Sequence, residues 1–271
     1  MTRQIITIAD ARDPRIELFT ALTDVDLRQR IEPERGFFMA EGHLVIERCA
    51  RSGLDFRAVL TERRWLARLE AALAGVDTAI FVADQAVLTE ITGYRVHRGA
   101  LAAVNRPPAL GVTDLLANGG DVLVLEDLVD PTNVGLAIRS AAVQGISDVL
   151  ISPGCADPLY RKAVKSSMAT VLACRWSRSD DWPGSLRALA QERRLIALTP
   201  SGDVHLDSAL RECTTAKVAL AVGSEGPGLS DLAMSTAWRR CAIPMSGEGA
   251  SLNVAAAVAV ASYARSRSIE E

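Results

Sequence analysis

The sequence predicts an α/β protein whose C-terminal half is a parallel sheet covered by helices. Strand-length apolar runs alternate with helical stretches along most of the 271 residues, and this alternation is typical of α/β folds. In the second half the runs are almost continuously apolar, as expected for parallel strands buried on both faces. The stretch Asn105-Arg106-Pro107-Pro108 interrupts regular structure, because paired prolines favour extended chain. We therefore predict two domains, residues 1–107 and residues 108–271.

Composition narrows the class of protein. With 49% hydrophobic and 23% charged residues the chain is typical globular material. No apolar run reaches the ~18 residues of a membrane span, and charges within the first twenty residues, such as Asp10 and Arg12, leave no signal-peptide core. The five cysteines are scattered and never form a CxxC pair, which argues against disulfides and zinc. We expect a cytoplasmic protein that uses neither a metal nor a membrane.

The elements of the first half follow from short-range patterns. Residues 24–34 are read as a solvated helical or irregular lead-in. Leu44, Val45 and Cys49 recur near helical spacing, and Asp84 is a typical N-cap. The predicted helices cover residues 43–52, 62–74 and 84–91, and the predicted strands cover residues 55–61, 78–83 and 100–104.

The second half has a stronger alternation of the same kind. The predicted strands cover residues 122–125, 149–151, 195–198, 218–222 and 241–245. The main predicted helices cover residues 133–144, a segment that ends near residue 165, and residues 252–264. Sheets of this kind bind ligands at the carboxyl ends of their strands, so the loops that follow these strands are the segments to inspect.

The first such loop leads into a helix that begins near Asn133. Arg139 lies about two turns further on, among Leu136, Ala137, Ile138 and neighbouring alanines. A guanidinium in such apolar surroundings needs a partner. Either it is an ordinary salt-bridged or snorkelling arginine, or it is a planar donor held for a phosphate or a carboxylate.

The second loop, Gly223-Ser224-Glu225-Gly226-Pro227-Gly228, follows the strand at residues 218–222. It is neither a Walker loop nor a GxGxxG fingerprint. Three glycines around one glutamate favour a loop whose backbone meets a ligand. The alternative is a tight turn with an exposed Glu225.

The third loop joins the strand at residues 241–245 to an alanine- and valine-rich helix. Ser251 and Asn253 stand at the start of that helix, where free backbone N–H groups can bind a ligand. The alternative is a buried helix behind an ordinary turn, with Ser251 as its N-cap.

In this order and spacing the three segments resemble the SpoU-type (TrmH-like) RNA 2′-O-ribose methyltransferases of the SPOUT superfamily. The matching motifs are Asn133-x-Gly135-x-x-x-Arg139, then Gly223-x-Glu225-Gly226-x-Gly228-Leu229-Ser230, then Ile243-Pro244-Met245-x-Gly247 with Ser251-Leu252-Asn253-Val254. The first half is similar to the family's RNA-binding domain, which has a ribosomal-protein fold. This second likeness depends on Phe38-Met39-Ala40-Glu41-Gly42 and His97-Arg98-Gly99-Ala100-Leu101-Ala102.

The resemblance implies a C-terminal trefoil knot, a homodimer and S-adenosylmethionine as cofactor. By the resemblance, the cofactor pocket is built by Leu198, Thr199, Gly223, Ile243, Met245 and Leu252. The catalytic surface consists of Asn133, Arg139, Glu225, Ser251 and Asn253. Because a guanidinium is a poor base, we hypothesise that Arg139 grips an RNA phosphate and stabilises developing charge, while Glu225 and Asn253 hold the loop and orient the ribose. Glu225 as the base is the rival assignment.

RNA contact requires positive surface, and residues 155–178 form a local basic run in an acidic chain. Arg161, Lys162 and Lys165 are the predicted RNA contacts, with a solvated helix face as the alternative. Two positions depart from the family pattern. Ser166-Ser167-Met168-Ala169 stands where relatives usually have Ser-x-Gly-Ala, and Ala255 stands where they often have serine.

Other functions remain open at this stage. An RNA- or ribosome-binding protein could keep the fold without turnover, and transfer RNA could replace ribosomal RNA as the substrate. A Rossmann-type dehydrogenase is disfavoured, because GxGxxG is missing and the glycine loops come late in the chain.

Overall fold

The computed structural model describes residues 4–96, 99–246 and 251–270. Contacts divide the chain into two compact units. Unit 1 consists of Met1–Pro108 and Leu159–Leu172, and unit 2 of Ala109–Pro158 and Ala173–Glu271. Unit 1 thus includes a segment that the sequence assigns to the second domain, so the chain passes between the units three times.

The strands and helices are numbered in chain order. The strands are Ile5–Ile8 (β1), Phe37–Glu41 (β2), Phe56–Thr61 (β3), Ala79–Ala83 (β4), Ala100–Asn105 (β5), Val122–Leu125 (β6), Asp148–Ile151 (β7), Arg175–Arg178 (β8), Arg194–Leu198 (β9), Val204–His205 (β10), Val218–Val222 (β11) and Arg239–Ala242 (β12). The α-helices are Val25–Glu34 (α1), His43–Arg51 (α2), Leu66–Ala72 (α3), Gln85–Thr92 (α4), Val112–Ala117 (α5), Pro131–Ala142 (α6), Arg161–Ser166 (α7), Trp182–Glu192 (α8), Leu206–Arg211 (α9), Asp231–Thr236 (α10) and Val254–Glu270 (α11). Short 3₁₀ turns occupy Pro14–Phe19, Arg63–Trp65 and Thr170–Ala173.

Unit 1 is built on a mixed five-stranded sheet in the order β1-β4-β3-β5-β2. Strands β1, β4 and β3 are parallel neighbours, while β5 runs antiparallel to β3 and β2. All five residues of β2 are buried, so its sequence lacks the alternation that would have predicted a strand there. Phe19, Phe37 and Leu60 are fully buried members of the core on one side of the sheet.

Helix α1 is a mostly exposed helix, one of the two predicted forms of this segment, but two of its charged residues are buried. Arg28 and Glu32 are each 2% exposed and form an ion pair of 2.8 Å one turn apart. The Arg28 guanidinium also lies over the Phe37 ring. The burial of this pair is the part that the prediction missed. The pair is only partly satisfied, since Arg28 Nη2 and Glu32 Oε2 find no hydrogen-bond partner within the described residues.

Unit 2 contains the predicted parallel sheet. Its seven strands lie in the order β10-β12-β9-β11-β6-β7-β8, and every neighbouring pair is parallel. Buried Val122, Leu150 and Leu195 belong to a core that helices α5, α8 and α10 help to cover. Strands β6 and β11 have the predicted bounds. Strand β12 ends at Ala242, three residues before the predicted end, so Ile243, Pro244 and Met245 belong to the following loop.

The carboxyl ends of parallel strands share one edge of the sheet. The segments that follow β6, β9, β11 and β12 therefore meet there. Within the described residues, no helix is long and apolar enough to cross a membrane.

Candidate active site

A cavity of about 460 Å³ opens at the carboxyl ends of β9, β11 and β12 in unit 2. Each of these strands delivers its next residues to the cavity wall. All six residues that the resemblance assigns to the cofactor line it, namely Leu198, Thr199, Gly223, Ile243, Met245 and Leu252. Glu225, Ser251 and Asn253 line it as well.

Several other residues of the wall escaped the sequence-based prediction. Pro200, Cys241 and Ala257 line the same cavity. Pro200 follows Leu198 and Thr199 directly, so its position after a strand was an available signal. Ala257 had none, because its place on the inner face of α11 depends on how that helix packs.

The loop at residues 223–230 is folded tightly on itself. The Gly228 N–H donates to the Ser224 carbonyl at 3.0 Å. A Cβ added at Gly223 would lie 2.1 Å from the Gly228 carbonyl carbon and 2.4 Å from the Leu229 nitrogen. Gly223 is therefore required by the return of the loop, and a larger residue there would displace the loop rather than only fill the cavity.

Three side chains, one from each motif, meet beside this loop. The Nδ2 groups of Asn133 and Asn253 each donate to Glu225 Oε1, both at 3.1 Å. Asn253 Nδ2 also donates to Asn133 Oδ1 at 3.1 Å. We call these residues the Asn-Glu-Asn cluster. Asn133 precedes Glu225 by 92 residues and Asn253 follows it by 28, so only the folded sheet brings them together.

Asn253 has a second task at the start of α11. Its Oδ1 accepts from the Ala255 N–H at 2.9 Å, and its carbonyl accepts from Ala257. Asn253 is therefore the N-cap of α11, and the alternative prediction of Ser251 as N-cap was wrong. Since the cap fixes Oδ1 toward the helix, Nδ2 must face Glu225 and Asn133.

Arg139 lies elsewhere on α6. The buried face of the helix includes Val134, Ala137, Ile138 and Ala141, whereas Arg139 is exposed. Its side chain makes no hydrogen bond or ion pair within the described residues. Of the predicted alternatives for Arg139, the salt bridge is wrong, because its apolar neighbours point to the other side of the helix. The exposed arginine and the donor held for a ligand both agree with this position. An exposed guanidinium is available to a bound molecule.

Cys241 is the thiol of the cavity wall. It is buried, and burial raises the pKa of the Cys241 thiol to about 11. At neutral pH it is thus a neutral thiol rather than a nucleophilic thiolate.

The predicted RNA contacts on α7 lie in unit 1. Arg161 has a side chain only 13% exposed, 3.5 Å from Glu41, and it also donates to the Tyr94 hydroxyl and to the Leu22 carbonyl. Lys165 donates to Glu41 at 2.6 Å. These two cations therefore hold α7 against the rest of unit 1. Lys162 is exposed and has no ion pair within the described residues.

The rest of the basic run is also engaged internally. Arg178 donates to the carbonyls of Ser152, Pro153 and Cys155, at 2.8 to 3.1 Å. Arg175 donates to Asp148 and to the Asp114 carbonyl. A count of charges along the sequence thus overstates the positive surface that this run offers.

The departure at Ser166-Ser167-Met168-Ala169 has a backbone consequence. Met168 and Ala169 have φ values of 53° and 62°, in the left-handed region that glycine adopts most readily. The Met168 carbonyl accepts a hydrogen bond from Arg48. Met168, which stands at the glycine of the family pattern that the resemblance implies, therefore has a glycine-like backbone with a side chain attached.

Three positions of the sequence motifs cannot be placed in the site. His97, Arg98 and Gly247 lie outside the described residues.

Comparison with known proteins agrees with these motifs. The profile of the SpoU rRNA Methylase family matches residues 121–263. A protein of Mycobacterium tuberculosis named uncharacterized tRNA/rRNA methyltransferase is 38% identical over 263 residues, which cover 96% of this chain and 91% of that protein. A protein of the same description from Synechocystis is 26% identical and covers 97% of this chain and 94% of its own length.

Solved structures share the fold. An AdoMet-bound rRNA methyltransferase from Sinorhizobium meliloti aligns with a TM-score of 0.81 at 22% identity, covering 97% of this chain and 98% of that one. A structure described as an RNA 2′-O ribose methyltransferase aligns with a TM-score of 0.77 at 24% identity, covering 98% and 99%.

Sequence and fold together define the class of protein as an RNA methyltransferase. The chain belongs to the SpoU rRNA methylase family, and the resemblance read from the three motifs is confirmed.

Proposed function

We propose that this protein transfers a methyl group from S-adenosylmethionine to a ribose 2′-hydroxyl of structured RNA, with ribosomal RNA as the expected substrate. The observation that carries the proposal is the Asn-Glu-Asn cluster at the rim of the cavity. One member comes from each of three motifs that together resemble ribose methyltransferases, and the cluster adjoins a cavity large enough for a small ligand.

The residues of the cavity fit S-adenosylmethionine. Leu198, Ile243 and Leu252 offer apolar side chains for a flat base, and the glycines of the 223–230 loop offer backbone that a ligand can approach closely. Cys241 stays neutral beside an electrophilic sulfonium because its pKa is raised. When bound, the cofactor supplies an activated methyl group and its own leaving group.

Arg139 is the residue we assign to the reacting hydroxyl. It is exposed on α6 and lacks a protein partner within the described residues, which suits a guanidinium reserved for an RNA phosphate. We propose that it stabilises negative charge as the hydroxyl loses its proton. The proton then passes to the phosphate or to water.

Glu225 is assigned to loop geometry and to ribose orientation. Its Oε1 already accepts from the amides of Asn133 and Asn253, which fixes the carboxylate within the loop. We assign the second carboxylate oxygen of Glu225 and the Ser251 hydroxyl to contact the ribose. Glu225 as general base remains the rival assignment, and the two are separated by an experiment described in the Discussion.

On the RNA side, we propose that unit 1 and Lys162 contact the substrate. Arg161 and Lys165 contribute indirectly, since their ion pairs with Glu41 fix the helix that presents Lys162. A Lys162→Ala variant is expected to weaken RNA binding and to reduce the slope of log affinity against log salt by about 1, the contribution of one phosphate contact. Filter binding at several salt concentrations measures this, and an unchanged slope would remove Lys162 from the interface.

The assembly and the knot are further parts of the proposal. Val260 and Tyr263 are exposed apolar side chains of α11, and their exposure supports the homodimer expected from the family. Analytical ultracentrifugation tests that state. The trefoil knot is likewise an expectation taken from the resemblance, and the cytoplasmic location is one taken from the composition and the scattered cysteines.

The first test is calorimetric titration with S-adenosylmethionine. Gly223 is a poor choice for a blocking variant, because its replacement would move the loop. Ala257→Leu is better, because Ala257 lines the cavity from a regular helix. Ala256→Leu, on the exposed side of the same helix, is the matched control. Binding that is lost only in Ala257→Leu supports the cavity as the cofactor site, whereas equal binding by all three proteins would contradict it.

The second test identifies the chemistry and the RNA. Ribosomal RNA and transfer RNA from a strain lacking the protein are incubated with enzyme and labelled cofactor, and the labelled nucleotide is isolated. Resistance of the adjacent phosphodiester to alkali is expected, since a methylated 2′-oxygen cannot attack it. A methylated base would refute ribose specificity, and label in transfer RNA alone would refute the ribosomal substrate. Cofactor and RNA binding without transfer would favour an RNA-binding protein that has lost turnover.

A further inference from the structure

A buried carboxylate connects the ends of the motif-bearing loop. Glu126 follows β6 directly and is 2% exposed. It is not part of the cavity wall, and within the described residues its carboxylate is hydrogen-bonded to Ser230 and Trp182 rather than to the Asn-Glu-Asn cluster. A carboxylate this deeply buried is costly unless it is fully hydrogen-bonded.

The hydrogen bonds of Glu126 reach the end of the 223–230 loop. Its Oε2 accepts from the Ser230 N–H at 2.8 Å, and its Oε1 accepts from the Ser230 hydroxyl at 2.8 Å. The indole N–H of Trp182 also donates to Oε1. Ser230 Oγ in turn caps α10 by accepting from the Ala233 N–H at 3.2 Å.

The backbone of Glu126 reaches the start of the same loop. Its N–H donates to the Val222 carbonyl at 2.9 Å, and Val222 immediately precedes Gly223. One residue thus fixes both ends of an eight-residue loop. Between those ends lie Glu225 and four further residues of the cavity wall, Gly223, Ser224, Gly226 and Gly228.

We propose that Glu126 is a positioning residue for methyl transfer, which sets the 223–230 loop so that the cofactor cavity and Glu225 have their working geometry. The proposal rests on the proposed function. It explains why an acid is needed at residue 126. All three partners are donors, and an ionised carboxylate accepts at both oxygens.

Glu126→Gln is the sharpest perturbation. It has nearly the same shape, but in either orientation of its amide an NH₂ group faces an N–H donor, from Ser230 or from Trp182. Two variants accompany it. Ser230→Ala removes the hydroxyl at the loop end together with its cap of α10, and Trp182→Phe removes the donor that does not belong to the loop.

Two measurements are made on each full-length variant. Hydrogen exchange of the Gly228 and Ser230 amides reports loop opening without any ligand, and calorimetry reports the dissociation constant for S-adenosylmethionine. For Glu126→Gln we expect the exchange rates of these two amides and the dissociation constant for S-adenosylmethionine each to rise at least about tenfold. This is the usual effect of losing a hydrogen bond to a charged group. Ser230→Ala should show a smaller change in the same direction. Trp182→Phe should change both less than Glu126→Gln does, because the two donors of Ser230 keep their carboxylate.

The outcomes separate this proposal from the proposed function. Unchanged exchange and affinity in Glu126→Gln would overturn the positioning role. So would parallel losses in Trp182→Phe, since these would indicate only general destabilisation. If Glu126→Gln does not fold, unchanged Ser230→Ala values would overturn it instead. If wild-type protein binds no cofactor, the proposed function fails, while the exchange data still decide whether Glu126 holds the loop.

Discussion

Replacing Asn253 by Asp isolates the hydrogen bonds of the Asn-Glu-Asn cluster from the folding of α11. The substitution keeps an oxygen that can accept from the Ala255 N–H, and Asp caps a helix about as well as Asn does. It removes the Nδ2 group that donates to Glu225 and to Asn133 at 3.1 Å. It also places a second carboxylate beside Glu225 Oε1.

The size of the effect follows from these losses. A hydrogen bond to a charged group contributes roughly 1.5–3 kcal/mol and a neutral one about 0.5–1.5 kcal/mol. Two carboxylates in contact repel by about 1 kcal/mol in water and more in a partly shielded site. Because the cluster is solvent-exposed, the lower end of each range applies, about 1.5 kcal/mol for the charged bond, about 0.5 kcal/mol for the neutral one and about 1 kcal/mol for the repulsion, and together they give about 3 kcal/mol. We therefore expect methyl transfer to fall about 100-fold, while the melting temperature changes by only a few degrees.

The double variant Asn253→Asp with Glu225→Gln separates the two assignments for Glu225. In the double variant the amide of the new Gln can donate to the new Asp, so the hydrogen bond is restored with its direction reversed. If Glu225 holds the loop, activity should recover at least about tenfold relative to Asn253→Asp.

If Glu225 is the base, the double variant should stay inactive, although cofactor affinity recovers. Turnover and calorimetry are measured together for both single variants and for the double variant. An Asn253→Asp enzyme equal to wild type in turnover and affinity would refute the assigned role of the cluster.

Three further predictions concern other parts of the chain. Arg139→Lys should lower turnover about 100-fold without changing cofactor affinity, because a point charge cannot replace a planar donor; near wild-type turnover would contradict the role. Met168→Gly should raise the melting temperature, since a left-handed backbone costs a non-glycine residue roughly 1–2 kcal/mol; calorimetry with Met168→Ala as control tests this. Cys241 has a raised pKa of about 11, so its alkylation in the native protein should be slow at pH 8 and rise steadily with pH up to about 11. Fast labelling at pH 8, read by mass spectrometry, would contradict its burial.

The sequence predicted best those elements whose pattern reflects burial alone. Strands β6 and β11 are continuous apolar runs, and their bounds were predicted correctly. Strand β2 is as fully buried, yet it was not predicted. A short apolar run beside a glycine is equally compatible with the start of a helix.

The placement of α7 could not be predicted from local sequence. Its cations were interpreted as an RNA-binding surface. The charge along the sequence does not reveal which carboxylates pair with those cations in the folded protein. Glu41, the partner of Arg161 and Lys165, is more than a hundred residues away. The same limit applies to α1, where the buried pair Arg28 and Glu32 looked like solvated charge.

The site was predictable to the extent that its residues belong to motifs. Glu126 directly follows β6, in a segment where the sequence predicted a ligand site, yet its role in holding the 223–230 loop was not predicted. The available signal was an acid directly after a four-residue apolar strand, where burial of the strand end demands donors for the carboxylate. Choosing between Ser251 and Asn253 as the cap required tertiary contacts, since both residue types cap helices well.

The order of the strands explains why three distant motifs act together. Strand β11 lies between β6 and β9, and β12 lies beyond β9. The loop after β11 therefore has the segment after β6 on one side and the segments after β9 and β12 on the other. Glu126 fixes its ends, while Asn133 and Asn253 fix Glu225 within it. Because these contacts constrain one loop, losing either set already frees it. Glu126→Gln and Asn253→Asp combined should thus cost less than their separate effects added together.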